Sequence, residues 1–138
     1  MSVGFKVGFF WFEIGTQDFL HCFFSTVAVN LEESNWGSKF PIIMNELYQG
    51  HLDEKNVTGA VKELKSIKKK LKKFVPDKVV WDFDNLDLLP PWKNEICSDI
   101  TDLSNYFVTS DGDDFITLFM HALEKAKELK LCVDIEEL

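Results

Sequence analysis

The chain has 138 residues and a formal net charge of −8, with 23 acidic residues against 15 basic residues that are all lysine. This length predicts one domain with its own hydrophobic core, which needs neither disulfides nor metals to fold. The negative charge disfavours binding to nucleic acid or to anionic membranes, and the lack of arginine removes bidentate recognition of phosphate.

Cysteine spacing and the N-terminal sequence indicate a cellular compartment. Cys22, Cys97 and Cys132 are widely spaced and form no CxxC pair, which disfavours a zinc site or a redox motif. We expect three thiols in a reducing environment. The N-terminus lacks the features of a signal peptide, and no apolar run reaches about 18 residues. The sequence predicts a cytoplasmic protein with no membrane span, no metal and no cofactor.

Two apolar stretches near the N-terminus predict a long antiparallel hairpin. Val3–Ile14 is rich in β-branched and aromatic residues, and Phe19–Val29 follows a turn candidate at residues 15–18. Gly4 and Gly8 interrupt the first stretch. We expect them to mark a bulge or close packing.

Two helices are predicted in the middle of the chain. The first is expected to start at a Ser38 cap, to carry Pro41 in its first turn and to end at Gly50. The second is indicated more strongly, because apolar residues recur every three or four positions over Val57–Phe74 and lysines occupy the opposite side. Pro76 follows as a helix stop.

The remaining elements complete an α+β pattern. Lys78–Phe83 is predicted to be a short strand, and Leu131–Glu136 alternates like a final strand. Between them, a helix running to about Leu129 is expected to be capped by Asp111 or Asp113. The predicted fold is a mostly antiparallel sheet, formed by the N-terminal hairpin and later strands, with about three helices packed on it.

Charge is distributed unevenly along the chain. Residues 55–78 hold nine lysines and two acids, a formal charge of +7, which leaves −15 for the rest. The simplest interpretation of the lysine-rich helix is a solvated face. An alternative is a scaffold that binds acidic partners through this helix. High salt should abolish such binding, and so should Lys-to-Glu changes at Lys62, Lys69 and Lys73.

Residues 81–114, here called the acidic segment, carry nine carboxylates with aromatic residues among them. Such a segment is too apolar for a disordered tail and too acidic for a core. We interpret it as an anionic surface for a basic partner, with Trp92 as an aromatic anchor. The predicted binding residues are Asp84, Asp87, Trp92, Glu95, Asp99, Asp102 and Asp111.

The sequence contains no recognisable catalytic or metal motif. The run that starts at Asp82 resembles a calcium loop, but its sixth position is not glycine and its twelfth is not glutamate. His21, His51 and His121 lie in no catalytic signature. A small hydrolase that pairs Cys97 with His121 or His51 remains an alternative, which labelling by a thiol-reactive probe would test.

Two stretches resemble a known family. The stretches Phe24–Leu52 and Pro91–Asp114 resemble the immunity protein 70 family of bacterial polymorphic toxin systems. The likeness lies in the order and spacing of NWGSKFP and ELYQG in the first stretch, and of PPW (residues 90–92) and NYFVTSDG at the second. The resemblance implies one immunity-protein-like domain over residues 1–138, not an enzyme. It also implies that the protein binds and blocks the C-terminal effector domain of a toxin encoded beside it. The leading hypothesis is therefore inhibition of a cognate toxin, possibly a nuclease, through the acidic segment.

Overall fold

A computed structural model describes residues 2–92 and 95–137, and it confirms the α+β class. Within those ranges, four strands form one antiparallel sheet in the order β2-β1-β4-β3. The strands are β1 (Val3–Val7), β2 (Phe10–Gly15), β3 (His51–Leu52) and β4 (Val133–Glu137). Three α-helices accompany the sheet: α1 (Gln17–Leu31), α2 (Val57–Leu71) and α3 (Phe115–Leu129).

The N-terminal hairpin is shorter than predicted. Both of its strands lie within residues 3–15 and are joined by Gly8-Phe9. The predicted second strand, Phe19–Val29, is wrong, because those residues form most of α1 and Thr16 caps them. Helix α1 is buried on several sides, even at Ser25 and Thr26. Its sequence therefore lacks the polar stripe that usually reveals a helix.

The expected close packing at Gly4 is confirmed. A Cβ atom on Gly4 would lie 2.6 Å from the Trp11 ring on β2, so only glycine fits beneath that ring. The pairing of β1 with β2 also shifts register between Val3 and Gly4, as a bulge requires.

A buried carboxylate organises the chain after α1. Glu32 is 1% exposed, and its two carboxylate oxygens accept hydrogen bonds from the backbone N–H groups of Gly37, Lys39 and Phe40 at 2.9–3.0 Å. These bonds satisfy backbone donors in a segment that has no regular structure of its own. One side chain thereby fixes the loop that leads to Phe40.

The helix predicted to start at Ser38 begins later and is irregular. It consists of a π-helical turn (Ile42–Glu46) followed by a 3₁₀ turn (Leu47–Gln49). Ser38 does not cap it; Glu63 of α2 accepts hydrogen bonds from the N–H groups of Ile42 and Ile43 instead. Gly50 ends it as predicted, with a φ of +113° that favours glycine.

The core is dominated by phenylalanine. Phe5 of β1 lies 4.8 Å from Phe119 of α3, measured between ring centroids, and Phe23 of α1 lies 4.8 Å from Phe115. All four rings are fully buried. Helices α1 and α3 contact the sheet, and α2 packs on both of them. The apolar stripe predicted for α2 is confirmed, although the helix ends at Leu71.

The strand predicted at Lys78–Phe83 is wrong. The backbone at Val79 is extended, but the N–H and C=O of Val80 bond to the hydroxyl of Thr26 on α1, not to a strand. Asp114, not Asp111 or Asp113, caps α3 by accepting from the N–H of Thr117. The final predicted strand is confirmed as β4.

Within the described residues, the helices pack on the face of the sheet that carries its buried side chains. Phe5 and Val133 point into the core, whereas the alternate positions Lys6 and Glu136 are exposed on the other face. Their charged groups lie 3.9 Å apart. We call this the open face of the sheet.

Candidate partner-binding surface

The acidic segment is a connection between α2 and α3 that is built from turns. Its described residues form no helix or strand, apart from one isolated bridge between Val108 and Asp114. A connection of this length in a compact protein is more often functional than structural. Lys93 and Asn94 lie outside the described residues.

Hydrogen bonds to α1 fix the start of the acidic segment. The N–H of Phe83 donates to the hydroxyl of Ser25 at 2.9 Å, and the Thr26 hydroxyl pairs with Val80 just before the segment. The Phe83 ring also packs edge-on against Trp36, with 5.1 Å between centroids. Two buried hydroxyls in an apolar helix thus act as attachment points.

A second attachment is aromatic. Trp92 packs edge-on against Trp81 at 5.6 Å, and its indole N–H donates to the Tyr106 hydroxyl. Tyr106 in turn packs against the buried ring of Phe107. Trp92 is half-buried. This predicted anchor therefore stabilises the acidic segment through contacts within it, and only part of the Trp92 side chain is accessible to a partner.

A histidine joins the acidic segment to the core, a contact that the sequence did not reveal. His21 of α1 lies 2.9 Å from the Tyr48 hydroxyl through Nδ1 and 3.2 Å from Asp82 Oδ1 through Nε2. The N–H of Asp84 and the His21 ring, both bonded to the Asp82 carboxylate, lower its pKa. Burial raises the pKa of Tyr48, and the charges of Asp84 and Asp82 add to the effect.

The predicted acidic residues differ in how freely they face solvent. Five are exposed: Asp84, Asp87, Glu95, Asp99 and Asp111. Asp102 is half-buried, and its carboxylate accepts hydrogen bonds from Ser104 and Thr101. Desolvation opposes ionisation of Asp102, but these bonds outweigh it and its pKa is lowered. Asp102 therefore stabilises its own turn.

Exposed apolar side chains stand among these acids. Leu86, Leu88 and Leu89 are 61%, 47% and 68% exposed, and they directly follow or flank Asp84 and Asp87. A cluster of exposed leucines in a charged loop is typical of an interaction site. The sequence pattern LDLLPP contains this signal, whereas the predicted binding residues are only acids and Trp92.

Two shallow grooves lie beside these residues. One, of about 210 Å³, is lined by Trp92 and Glu95 together with Ile96 and Cys97. The other, of about 380 Å³, is lined by Leu89, Pro90 and again Ile96. The structure thus brings Trp92 and Glu95 together. Asp111 instead follows Ser110, whose N–H donates to Ile14 at the end of β2, so it lies beside the sheet.

The structure does not support the pairing of Cys97 with a histidine. The described residues lining the groove beside Cys97 include no histidine, and the thiol contacts Asp99 at 3.7 Å. His51 lies beside Cys132 and Asp134, and its Nδ1 is 2.6 Å from Asp134 Oδ1. Burial and the Asp134 charge raise the pKa of Cys132, which disfavours a thiolate nucleophile.

The lysines of α2 are exposed along its outer side, as predicted. Among the residues that the structure describes, no helix combines the length and the apolar character needed to cross a membrane.

The fold and these surface features define a small α+β domain that presents an acidic and apolar surface on a braced loop. The chain matches the family model described as Immunity protein 70 over residues 5–135 and therefore belongs to the immunity protein 70 family. A search of curated proteins and a search of solved structures each found no match. Family membership indicates an immunity protein against a toxin, with a toxin protein as its partner and a non-enzymatic role.

Proposed function

We propose that this protein neutralises its cognate toxin by binding the toxin's C-terminal effector domain one to one through the acidic segment. The observation that carries the proposal is the run of exposed leucines at 86, 88 and 89 among the exposed carboxylates of Asp84 and Asp87. Apolar groups supply binding energy when a partner buries them. The carboxylates accelerate association with a basic partner and select against acidic ones.

The proposed target is an effector with a basic cleft, as a nuclease would have. Outside residues 55–78 the chain carries a formal charge of −15, which attracts a cleft built to hold phosphates. An inhibitor of this kind needs no chemistry of its own, because it occupies the space of the nucleic acid. Two sets of contacts hold the acidic segment in place before binding: the hydrogen bond from Phe83 to Ser25 of α1, and the aromatic contacts among Trp81, Trp92 and Tyr106. Because the segment is already ordered, the entropy cost of association is lower.

Co-expression with the product of the neighbouring upstream gene tests the proposed function. We expect the neighbour alone to be toxic, the pair to be tolerated, and a one-to-one complex to survive purification at moderate salt. A non-toxic neighbour, or toxicity that co-expression does not relieve, would contradict the proposal.

Paired variants then test whether the acidic segment is the interface. Leu86→Ala with Leu89→Ala should weaken the complex by more than about tenfold, mainly through faster dissociation. Asp84→Asn with Asp87→Asn should slow association and reduce its dependence on salt.

A matched control removes the same charge elsewhere. Glu124→Gln with Glu128→Gln neutralises two exposed acids on α3 and should leave both rate constants nearly unchanged. If this pair slows association as much as the Asp84 and Asp87 pair does, total charge and not the acidic segment steers the encounter. If the leucine pair also has no effect, the interface lies elsewhere.

A further inference from the structure

The open face of the sheet carries a second cluster of polar side chains, distant in sequence from the acidic segment. His51 of β3 is paired with Asp134 of β4 in the strand register, and Cys132 lies two residues before Asp134. Side chains two residues apart on a strand point to the same face. Their neighbours Leu52 and Val133 are buried in the core, so the cluster points outward.

The donor atoms of these three residues already lie close together. One imidazole nitrogen, the Cys132 sulfur and one Asp134 oxygen all lie within 4.8 Å of one another. Around a tetrahedral zinc ion, with bonds of 2.0–2.3 Å, donor atoms are about 3.3–3.8 Å apart. Small side-chain rotations would close the difference, and the His51 and Asp134 side chains, 60% and 31% exposed, leave room for them.

Asp53 is a candidate fourth ligand from the strand register, although its carboxylate now caps the following turn by accepting a hydrogen bond from the N–H of Lys55 at 3.3 Å. Continuing the pairing of Leu52 with Val133 by one residue sets Asp53 opposite Cys132. Asp53 would complete the set by turning its carboxylate from this cap toward the other three donors.

We propose that His51, Cys132 and Asp134 bind a borderline divalent cation of the Zn²⁺ type, with Asp53 completing the coordination. Imidazole, thiolate and carboxylate are the ligand types that zinc takes in proteins. The ligands come in the pairs His51/Asp53 and Cys132/Asp134, so no CxxC or HxxxH spacing reveals them in the sequence. An ion here would tie the two-residue edge strand β3 to β4.

Metal titration of the reduced, chelator-stripped protein tests this site. We expect one Zn²⁺ per chain by isothermal titration and, with Co²⁺ as probe, a near-ultraviolet thiolate-to-cobalt absorption band. Cys132→Ser should remove the band and weaken binding more than about tenfold, since even residues that only support ligands contribute that much. Zn²⁺ should also raise the melting temperature of the wild type but not of Cys132→Ser.

Cys97→Ser is the matched control, because Cys97 is also followed two residues later by an aspartate that contacts its thiol. It should keep the cobalt band. Absence of binding by the wild type, or loss of the band in Cys97→Ser but not in Cys132→Ser, would overturn the site. Binding that Cys132→Ser leaves unchanged would do the same and would direct attention to His21, Asp82 and Asp84.

Two further variants keep the test decisive. If circular dichroism shows that Cys132→Ser does not fold, His51→Gln replaces it, with the same weakened binding expected. Asp53→Asn tests the fourth ligand: weaker binding supports it, and unchanged affinity removes Asp53 from the site.

Discussion

The phenylalanine core and the acidic segment use similar apolar side chains for opposite purposes. In the core, Phe23, Phe115 and Phe119 lie on regular helices and are completely buried. In the acidic segment, Leu86 and Leu89 lie in turns and are mostly exposed. The core stabilises the fold by burying apolar surface. The acidic segment leaves apolar surface in water, where it does not stabilise the fold but can be buried by a partner.

The core and the acidic segment are joined at a few identifiable points. Hydroxyls on α1, the His21 ring and the Trp92–Tyr106 pair connect the segment to the core. Changes in the core should therefore destabilise the whole protein, changes at the attachments should have intermediate effects, and changes on the segment should affect binding alone.

The largest effect is expected from removing a core ring. Phe23→Ala should lower the free energy of unfolding by about 3–5 kcal/mol, because it leaves a cavity among Phe24, Phe107 and Phe115. Leu89→Ala should change it by no more than about 0.5 kcal/mol. Denaturant unfolding measures both. Similar losses for the two variants would show that the segment is part of the cooperative core.

The second-largest loss of stability is expected from changing the buried carboxylate of Glu32, which follows α1. Glu32→Gln keeps the size of the side chain but removes the charge that three backbone N–H groups share. We expect a loss of about 2 kcal/mol in the free energy of unfolding. Glu33→Gln, at the exposed neighbouring position, is the control and should cost less than about 0.5 kcal/mol. Equal effects would refute the special role of Glu32.

An attachment of the acidic segment should have a smaller, local effect. Thr26→Val removes the hydroxyl that bonds both backbone groups of Val80, at a cost of about 1 kcal/mol. Amide hydrogen exchange should accelerate at Val80 and Phe83, more than at core amides. Thr58→Val, on the exposed side of α2, should leave these amides unchanged. Unaltered exchange in Thr26→Val would mean that the segment is held elsewhere.

The smallest effect concerns pH. The Asp84 N–H and the His21 ring lower the pKa of Asp82 below its ordinary 3.8. Since the folded pKa lies below the unfolded one, the stabilisation is present above 3.8 and is lost as the pH falls through the folded value. The difference in unfolding free energy between wild type and Asp82→Asn should shrink as the pH falls below about 3.8. A difference that persists in acid would contradict this linkage.

How much of the fold the sequence reveals depends on whether an element keeps one face in water. Helix α2 alternates buried residues such as Leu64 and Ile67 with lysines, and its position was predicted closely. Helix α1 is buried on several sides, so its apolar run resembled a strand. Its length of 15 residues and the Thr16 cap were the available signals.

The candidate surface was predictable only in composition. Exposed carboxylates such as Asp84 and Asp87 follow from charge alone, because acids are seldom buried. The contacts that attach the segment to α1 cannot be predicted in this way. Ser25 and Phe83 are 58 residues apart in sequence, and His21 and Asp82 are 61 apart. Chain folding brings such pairs together, and no local pattern reports them.

The pairing of β1 with β4 has a consequence for protein synthesis. Residues 3–7 leave the ribosome first and residues 133–137 last among those described, yet they are neighbours at the centre of the sheet. At a translation rate of about 5–20 residues per second, β4 is synthesised on the order of ten seconds after β1. A half-made chain therefore cannot complete the fold. Protection against a toxin depends on molecules finished earlier, not on those still being translated when the toxin arrives.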